Sequence, residues 1–444
     1  MDVEKRERNG FFSVFEKIGK TGSRIFLNKY FFLALFCAAA AITALGKEVE
    51  GAVAFVIIMC VGFVFCDDIM AIGLPLMLMC TFVTTCYDSA DTFLKFVWIA
   101  VPAVLSIVFH FIVYRGKFRV GTSFWGLVAV SVALTAGGIG CISAKEYFAG
   151  SALYHTFFLG FLMAGFYLLL KRQFLRKRDY DLVEMIIKIL YITGILASLM
   201  VALHALPLID FKNGFLLTRE FKPRNNLSTL LMFALPAPFF YARKNLLHLV
   251  PACIMAAAMV FSGSRAGMVL GLVELVICIV VTAIWDKKNR FFYVCALVAI
   301  VGVAVALRGE VIEMLEKINI FPLIKKDEER SRLIVRAFEY FKKYPIFGHG
   351  MGFKGNYDIY DPKKGAMGWY HMMIPQVIGS MGAVGIIAYI YQAVLQIRVS
   401  VRAIKDAANE QKGAIVTILL SYLGVLMMSQ VNPGLFCPLP YGLI

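Results

Sequence analysis

"YPIFGHGMGF" (Tyr344–Phe353) and "GWYHMMIPQVIGSMGAVG" (Gly368–Gly385) stand out in a chain that is 60% hydrophobic. They gather His349, Trp369, Tyr370 and His371 where a long polar connection gives way to an apolar run. Reading that boundary as an outer loop returning to a membrane organises the rest of the 444 residues. Mean hydropathy is +0.75 and 17% of residues are charged, which excludes a soluble globular fold. A bilayer core takes about twenty apolar residues per helix, with every backbone polar group satisfied inside the segment. Suitable stretches lie near 30–46, 51–66, 69–87, 94–114, 121–142, 151–170 and 184–206. They continue near 226–242, 246–262, 265–285, 291–307, 371–397 and 413–431. The expected class is all-α, a polytopic integral membrane protein of about 12–13 transmembrane helices. One large extracytoplasmic loop would contain amphipathic helices.

Lysine and arginine in short loops set the orientation. The N-terminal tail carries Lys5, Arg6, Arg8, Lys17, Lys20, Arg24 and Lys29. Alternate loops repeat the bias, with Arg115, Lys117 and Arg119, then Lys171 to Arg178, Arg243 and Lys244, Lys287 to Arg290, and Arg398 to Lys405. The loops between them, near 46–51 and 87–93, are nearly free of it. The N-terminus is therefore expected in the cytoplasm, and most of the +16 net charge reflects topology. No stacking aromatics interleave with these cations, so nucleic acid is not an expected partner. Four parts follow: a basic cytoplasmic segment 1–29, a transmembrane bundle 30–307, a large extracytoplasmic loop 308–370 and C-terminal transmembrane helices 371–444. Phe11, Phe12, Phe15 and Ile18 share a helical spacing, which predicts a short amphipathic helix on the membrane surface. Asp67 and Asp68 read as a cytoplasmic turn. The ten cysteines lie almost all inside apolar segments without metal-type spacing, so no metal site is expected.

Cations on the outer side have no topological reason to be there. One outer loop holds Lys212, Arg219, Lys222 and Arg224, and "FSGSRAGM" puts Arg265 at the outer end of a span. In "SRLIVRAFEYFKKYP" Arg332 and Arg336 stand four apart on one helical face, while Leu333, Ile334, Ala337, Phe338 and Phe341 form the apolar face. "EVIEMLEKINIF" has the same amphipathic look. Such a gathering suits an anionic ligand at the membrane boundary, a lipid-linked phosphate or diphosphate, which arginine grips with a bidentate fork. The same charges also fit an ordinary solvated loop or the polar face of a surface helix. His371 follows two interfacial aromatics, and an imidazole titrating near neutrality can take a proton from a hydroxyl. His349 sits in a glycine-flanked turn that reads as flexible, with Gly348, Gly350 and Gly352 letting the loop bend.

In sequence order, "TREFKPRNNLSTLLMFALP", "FSGSRAGMVLGLV", "SRLIVRAFEYFKKYPIFGHGMGF" and "YHMMIPQVIGSMGAVGIIAYIY" resemble the motifs of the O-antigen ligase and O-antigen polymerase superfamily. The likeness spans Arg219 to about Tyr391. It implies a glycosyltransferase that moves a glycan from undecaprenyl diphosphate to an acceptor hydroxyl, at the outer face of the bacterial cytoplasmic membrane. Neither a nucleotide sugar nor a metal or other cofactor would be needed. The acceptor would be a lipid core, a protein or another lipid-linked glycan, which leaves ligase and polymerase both open. By the resemblance Arg265 and either Arg219 or Arg224 grip the diphosphate, and His371 is the essential histidine. Read from the residues themselves, Arg332, Arg336 and His349 are expected to contact the substrate, and His349 is the second candidate base. Two positions depart from the family pattern: Met372 replaces an asparagine, and His349 replaces a valine. The competing class is a transporter or flippase for a lipid-linked or anionic solute. Internal repeats and midplane helix breaks would mark it; no repeat is evident, and the polar residues cluster at the outer boundary.

Overall fold

The computed structural model describes residues 10–85, 96–114, 119–139, 153, 156–176, 178–205, 209–210, 216–217, 224–306, 308–309, 328–351, 370 and 372–431. In chain order the helices begin with α1 (Gly10–Phe26), α2 (Lys29–Ala44), α3 (Glu48–Phe65), α4 (Ile69–Thr85), α5 (Ala100–Val113) and α6 (Thr122–Ala133). Then come α7 (Leu162–Phe174), α8 (Leu182–Met200), α9 (Arg224–Ala234), α10 (Pro236–Ala242) and α11 (Leu249–Phe261). The last are α12 (Arg265–Trp285), α13 (Arg290–Ala306), α14 (Glu328–Lys343), α15 (Met373–Asp406) and α16 (Asn409–Ser429). Paired strands among the described residues amount to Ile209–Asp210 against Leu216–Leu217, antiparallel. The protein is all-α.

Every apolar stretch expected from the sequence overlaps one of these helices, but many are shorter than a full span. Among the described residues five helices are long and apolar enough to cross a membrane: α3, α8 with its continuation to Ala205, α12, α15, and α16 from Gln411. The pair Ser13–Phe26 and Lys29–Ala44, bent by 62°, is a sixth candidate. Five further apolar helices are shorter, at Ile69–Thr84, Ala100–Val113, Thr122–Gly138, Leu246–Phe261 and Arg290–Gly302. Local chemistry accounts for some of the irregularity. Pro75 sits inside α4 and removes a backbone donor, and α6 runs on into a π-turn, Leu134–Gly138. Among the described residues the apolar stretches thus outnumber the helices of full spanning length.

The chain packs as two compact units, Met1–Arg119 with Leu169–Leu196, and Val120–Leu168 with Ala197–Ile444. In the first, α1 is the amphipathic helix expected at the N-terminus, and it docks against its own unit. A Cβ at Gly19 would fall 2.6 Å from the Tyr114 ring, and one at Gly22 would strike the Phe65 carbonyl, so both glycines permit a close approach. Ser23 Oγ donates to Asp67 Oδ1 at 2.6 Å. The turn at Asp67 and Asp68 does more than reverse the chain. Arg176 pairs with Asp67, and Arg178 makes a bidentate pair with Asp68 at 2.7 and 3.0 Å. Tyr180 Oη donates to the same carboxylate at 2.8 Å. Two cations whose sequence signal was topological are therefore also structural partners of buried acids. That pairing crosses more than a hundred residues and leaves no local pattern.

In the second unit α6 lies against α15, where a Cβ at Gly126 would come 2.9 Å from Gln392 Cα. Their shared core includes Val130, Leu134, Met351, Val377 and Met381. Helix α16 packs on α9, α10 and α12. Helix α14 lies on α15 and buries Leu333, Ala337 and Tyr340 together with Tyr370 and Met372. The buried stripe is narrower than the sequence suggests, since Ile334 and Phe338 are 37% and 49% exposed. One i, i+4, i+7 row contacts α15, and the adjacent apolar side chains face outward.

Candidate active site

Two helix starts meet in the second unit, and each begins with an arginine. Helix α12 is launched by "SGSRAG". Gly263 takes φ +74°, a left-handed turn that glycine adopts without strain. Ser264 is the N-cap, its Oγ accepting from Gly267 N–H at 3.1 Å. The same hydroxyl donates to Asn225 Oδ1 at 2.8 Å, which ties this cap to the first turn of α9. Deeper in, Ser228 Oγ and Ser262 Oγ lie 2.9 Å apart. A Cβ at Gly267 would overlap the Ser228 side chain, so the two helices approach as closely as glycine allows. Arg224 and Arg265 are each one residue from the bonded Asn225–Ser264 pair. Arg224 is half-buried and Arg265 is exposed.

The electrostatics of this corner are unusual. Helix N-termini carry a partial positive charge and commonly attract Asp or Glu. Neither α9 nor α12 has an acidic residue in its first turn. Each puts a guanidinium there instead, which adds like charge to like charge. Backbone donors, hydroxyls and two arginines converge without an anion of the protein's own in either first turn. Such a corner can bind phosphate oxygens.

The second element is the start of α15, which is broken. Gly382 has φ 59° and ψ −150°, so the helix runs as two pieces. The "YPIFGHGM" turn supplies the hydrogen bonds that the break would leave open. His349 N–H and Gly350 N–H donate to the carbonyls of Gly379 and Ser380 at 3.0 and 2.9 Å. Ala383 N–H and Val384 N–H donate to Pro345 and Ile346 at 2.8 and 3.1 Å. Met351 N–H reaches Gly138 of the π-turn after α6. Gly348 and Gly350 take φ +69° and +92°, and a Cβ at Gly348 would collide with the Ser380 backbone. These glycines serve close backbone contact, whereas the sequence reads as a bending loop.

His349 is the centre of this clasp. It is 0% exposed, with Nε2 2.7 Å from Tyr370 Oη and its ring centroid 4.3 Å from that of Tyr340. Burial pushes its pKa down to about 3. Tyr370 is itself fully buried, and its N–H donates to Gln376 Oε1 at 2.9 Å. Gln376 Nε2 in turn donates to Ser380 Oγ at 2.8 Å. The sequence reads this turn as a flexible substrate contact; the structure buries the His349 ring within the clasp, packed against Tyr340 and Tyr370.

Contacts along α16 show which ends of the helices coincide. A Cβ at Gly413, near its start, would meet the guanidinium of Arg243, just past the end of α10. At its other end Gln430 Nε2 lies 3.6 Å from Met373 Sδ, the first residue of α15. The α9–α10 segment runs from Arg224 to Arg243, so Arg224 lies at the end opposite Arg243, the end of Gln430 and Met373. The Ser264–Asn225 bond brings Arg265 to that end too. Arg224, Arg265 and the start of α15 thus share one end of the unit.

The other expected site residues fall variously. Arg219 and His371 lie outside the described residues, though Tyr370 and Met372 on either side of His371 are buried. The piece "EVIEMLEKINIF" is also outside them. Arg332 is on α14, with its side chain outside the described set. Arg336 is engaged by Glu339 at 3.1 Å. An open groove along α11, lined by residues such as Leu246, Val250, Ile254 and Phe292, has no charged side chain and lies away from these residues. Asn225 and Ser264 fall inside the quoted motifs without a role assigned to them, and Gln376 likewise; the structure shows that they position the helix starts and the turn. "S/N near an arginine at a helix start" was the available signal for the first two.

None of the curated proteins matches the chain. Residues 250–390 match the family model described as O-antigen ligase. The matched segment contains Arg265, Arg332, Arg336, His349 and His371, and it ends within α15; Arg224 precedes it. It covers the cap of α12 and the clasp on α15, the two elements built above from their hydrogen bonds. Over residues 250–390, less than half of its length, the chain is similar to the O-antigen ligase family.

Proposed function

We propose that this protein transfers a glycan from undecaprenyl diphosphate to an acceptor hydroxyl at the outer face of the cytoplasmic membrane. The observation that carries the reading is the pair of joined helix starts, each with an arginine and no acid in its first turn. Arg224 and Arg265 hold the diphosphate, and the exposed Arg265 meets it first. In the reaction the bond from the anomeric carbon to the diphosphate oxygen breaks and a bond to the acceptor oxygen forms. The acceptor proton passes to His371, and the negative charge left on the diphosphate is met by fixed guanidinium groups in a partly dry site. Arg219 and Arg332 add positive charge around the lipid headgroup, while Arg336 is paired with Glu339. The acceptor is a lipid, a protein or a second lipid-linked glycan, and the chemistry is the same for each.

The test is transfer in vitro by purified protein. His371→Ala should lower the rate by roughly 10² to 10⁴, the usual worth of a general base, while donor binding survives. His349→Ala, assayed beside it in a form that still folds, should keep its rate constant within a few-fold. Wild-type transfer by His371→Ala would remove the base from this mechanism. Loss of chemistry in a folded His349→Ala would move it to the clasp.

A further inference from the structure

Glu274 lies on α12 nine residues beyond Arg265 (274 − 265), roughly 13 Å along the axis at about 1.5 Å per residue. It is in the middle of a helix long and apolar enough to cross a membrane. Its side chain is 0% exposed, and neither carboxyl oxygen has a hydrogen-bond partner. It faces α16 at Gly424, where a Cβ would come 2.8 Å from Glu274 Cδ. Ser421 sits one turn earlier on that face of α16, also 0% exposed and also with an unpartnered Oγ. Its neighbours behave differently. Thr417 and Ser429 on the same helix spend their hydroxyls on carbonyls four residues back, at 2.8 and 2.7 Å. Ser421 does not, so its hydroxyl is left for something across the helix contact.

We propose that Glu274 and Ser421 form a proton site inside the membrane, in which Glu274 is held as a neutral carboxylic acid joined to the Ser421 hydroxyl through one bridging water. An ionised carboxylate at this depth would be far too costly without a cation, and among the described residues no ion pair reaches it. The ionisable group nearest along its own helix is Cys278, one turn on, which supplies no positive charge. A neutral acid needs one acceptor and can use two donors. The three unpartnered atoms are also the number a single buried water commonly joins, so the site takes a proton and has the chemistry for one water. Gly424 makes it possible, because any larger residue would occupy the acid's place. That bridge would tie α12 to α16, and α12 carries Arg265 at its outer end. That last consequence rests on the donor reading above.

Infrared spectra of the purified full chain test the proton site. At pH 8 the wild-type minus Glu274→Gln difference should contain a carboxylic-acid carbonyl band that moves to lower frequency in D₂O. Ser421→Ala should shift that band without removing it. A carboxylate pair in place of the acid band, or a band that Ser421→Ala leaves unmoved, would overturn the proposal. Should Glu274→Gln fail to fold, wild-type and Ser421→Ala proteins carrying ¹³C-carboxyl glutamate supply the comparison, and a flat difference overturns it equally. In a transfer assay Ser421→Ala should raise KM for the lipid-linked donor about fivefold, the net worth of one hydrogen bond, with kcat less affected. An acid band in a protein that transfers no glycan would refute the donor reading and leave the proton site standing. Transfer with a carboxylate band would do the reverse.

Discussion

Arg265 occupies the first position of a helix, where an acidic residue would be the electrostatic choice. Ser264 already caps the helix, so the arginine is not needed for its start. A bound anion gives both the guanidinium and the helix end a partner. Arg265→Ala should therefore leave the protein folded and inserted while transfer falls to background, as followed with purified protein and lipid-linked donor. Arg265→Lys should also be impaired, since a point charge cannot reproduce a bidentate fork. Wild-type rates in the alanine variant would dissolve the diphosphate clamp. His349 gives the opposite lesson at the same scale. In the sequence it reads as a substrate contact on a flexible turn, yet its burial lowers its pKa to about 3, below the ordinary 6.5. The unfolded chain takes up this proton as pH falls through about 6.5, and the folded one resists until about 3. Its contribution to stability is thus full above that window and declines as pH falls through it. Thermal unfolding from pH 7 to pH 4 should show the decline, and a Tyr370→Phe variant should be about 1–3 kcal/mol less stable for orphaning the ring nitrogen. Equal stability of that variant would show that the Tyr370–His349 bond contributes nothing.

At the scale of elements, α12 was legible almost to the residue. A glycine, a serine cap and an arginine announce its start, and Asp286 and two lysines follow its end. The division of α15 was not. Its sequence, "MIPQVIGSMGAVGIIAYIY", has apolar periodicity throughout, and the break at Gly382 exists because a distant turn fills the backbone hydrogen bonds on either side. Periodicity reports the face a helix buries; it carries no record of a partner some thirty residues upstream. The glycines were visible but ambiguous, since flexibility and close approach call for the same residue. A substitution separates the two. Gly348 has φ +69° and no room for a Cβ beside Ser380, and Gly382 has φ +59° with Gly348 N only 2.7 Å from where its Cβ would be. Gly348→Ala and Gly382→Ala should each destabilise the protein by several kcal/mol, from backbone strain plus the clash. Reduced folded yield and a lowered unfolding temperature are the expected readouts. A flexible hinge would tolerate alanine at either place with little change in stability.

For the whole molecule the question is which face of the membrane holds the joined arginines, and charge and packing answer different parts of it. Charge counting puts Arg243–Lys244, Lys287–Arg290 and the basic end of α15, Arg398–Lys405, in the cytoplasm. Packing needs no membrane: Arg243 lies beside Gly413 at the start of α16, and Met373 beside Gln430 at its end. If Arg243 is cytoplasmic, then Arg224, Arg265 and the start of α15 are on the outer side. Packing thus fixes which residues share an end, and charge assigns that end its side. The basic loops could have marked the wrong side, since Arg176 and Arg178 show that such cations also serve buried acids. The pairing of those two leaves the count in the other loops untouched. Single cysteines at Lys244 and Lys364, in a background whose native cysteines are replaced, should label differently in intact cells. A membrane-impermeant maleimide should reach Lys364→Cys at once and Lys244→Cys only after the membrane is permeabilised. The reverse pattern would turn the arginine corner toward the cytoplasm, where a glycan awaiting transfer on the outer leaflet could not reach it, and the transferase reading would fall with it.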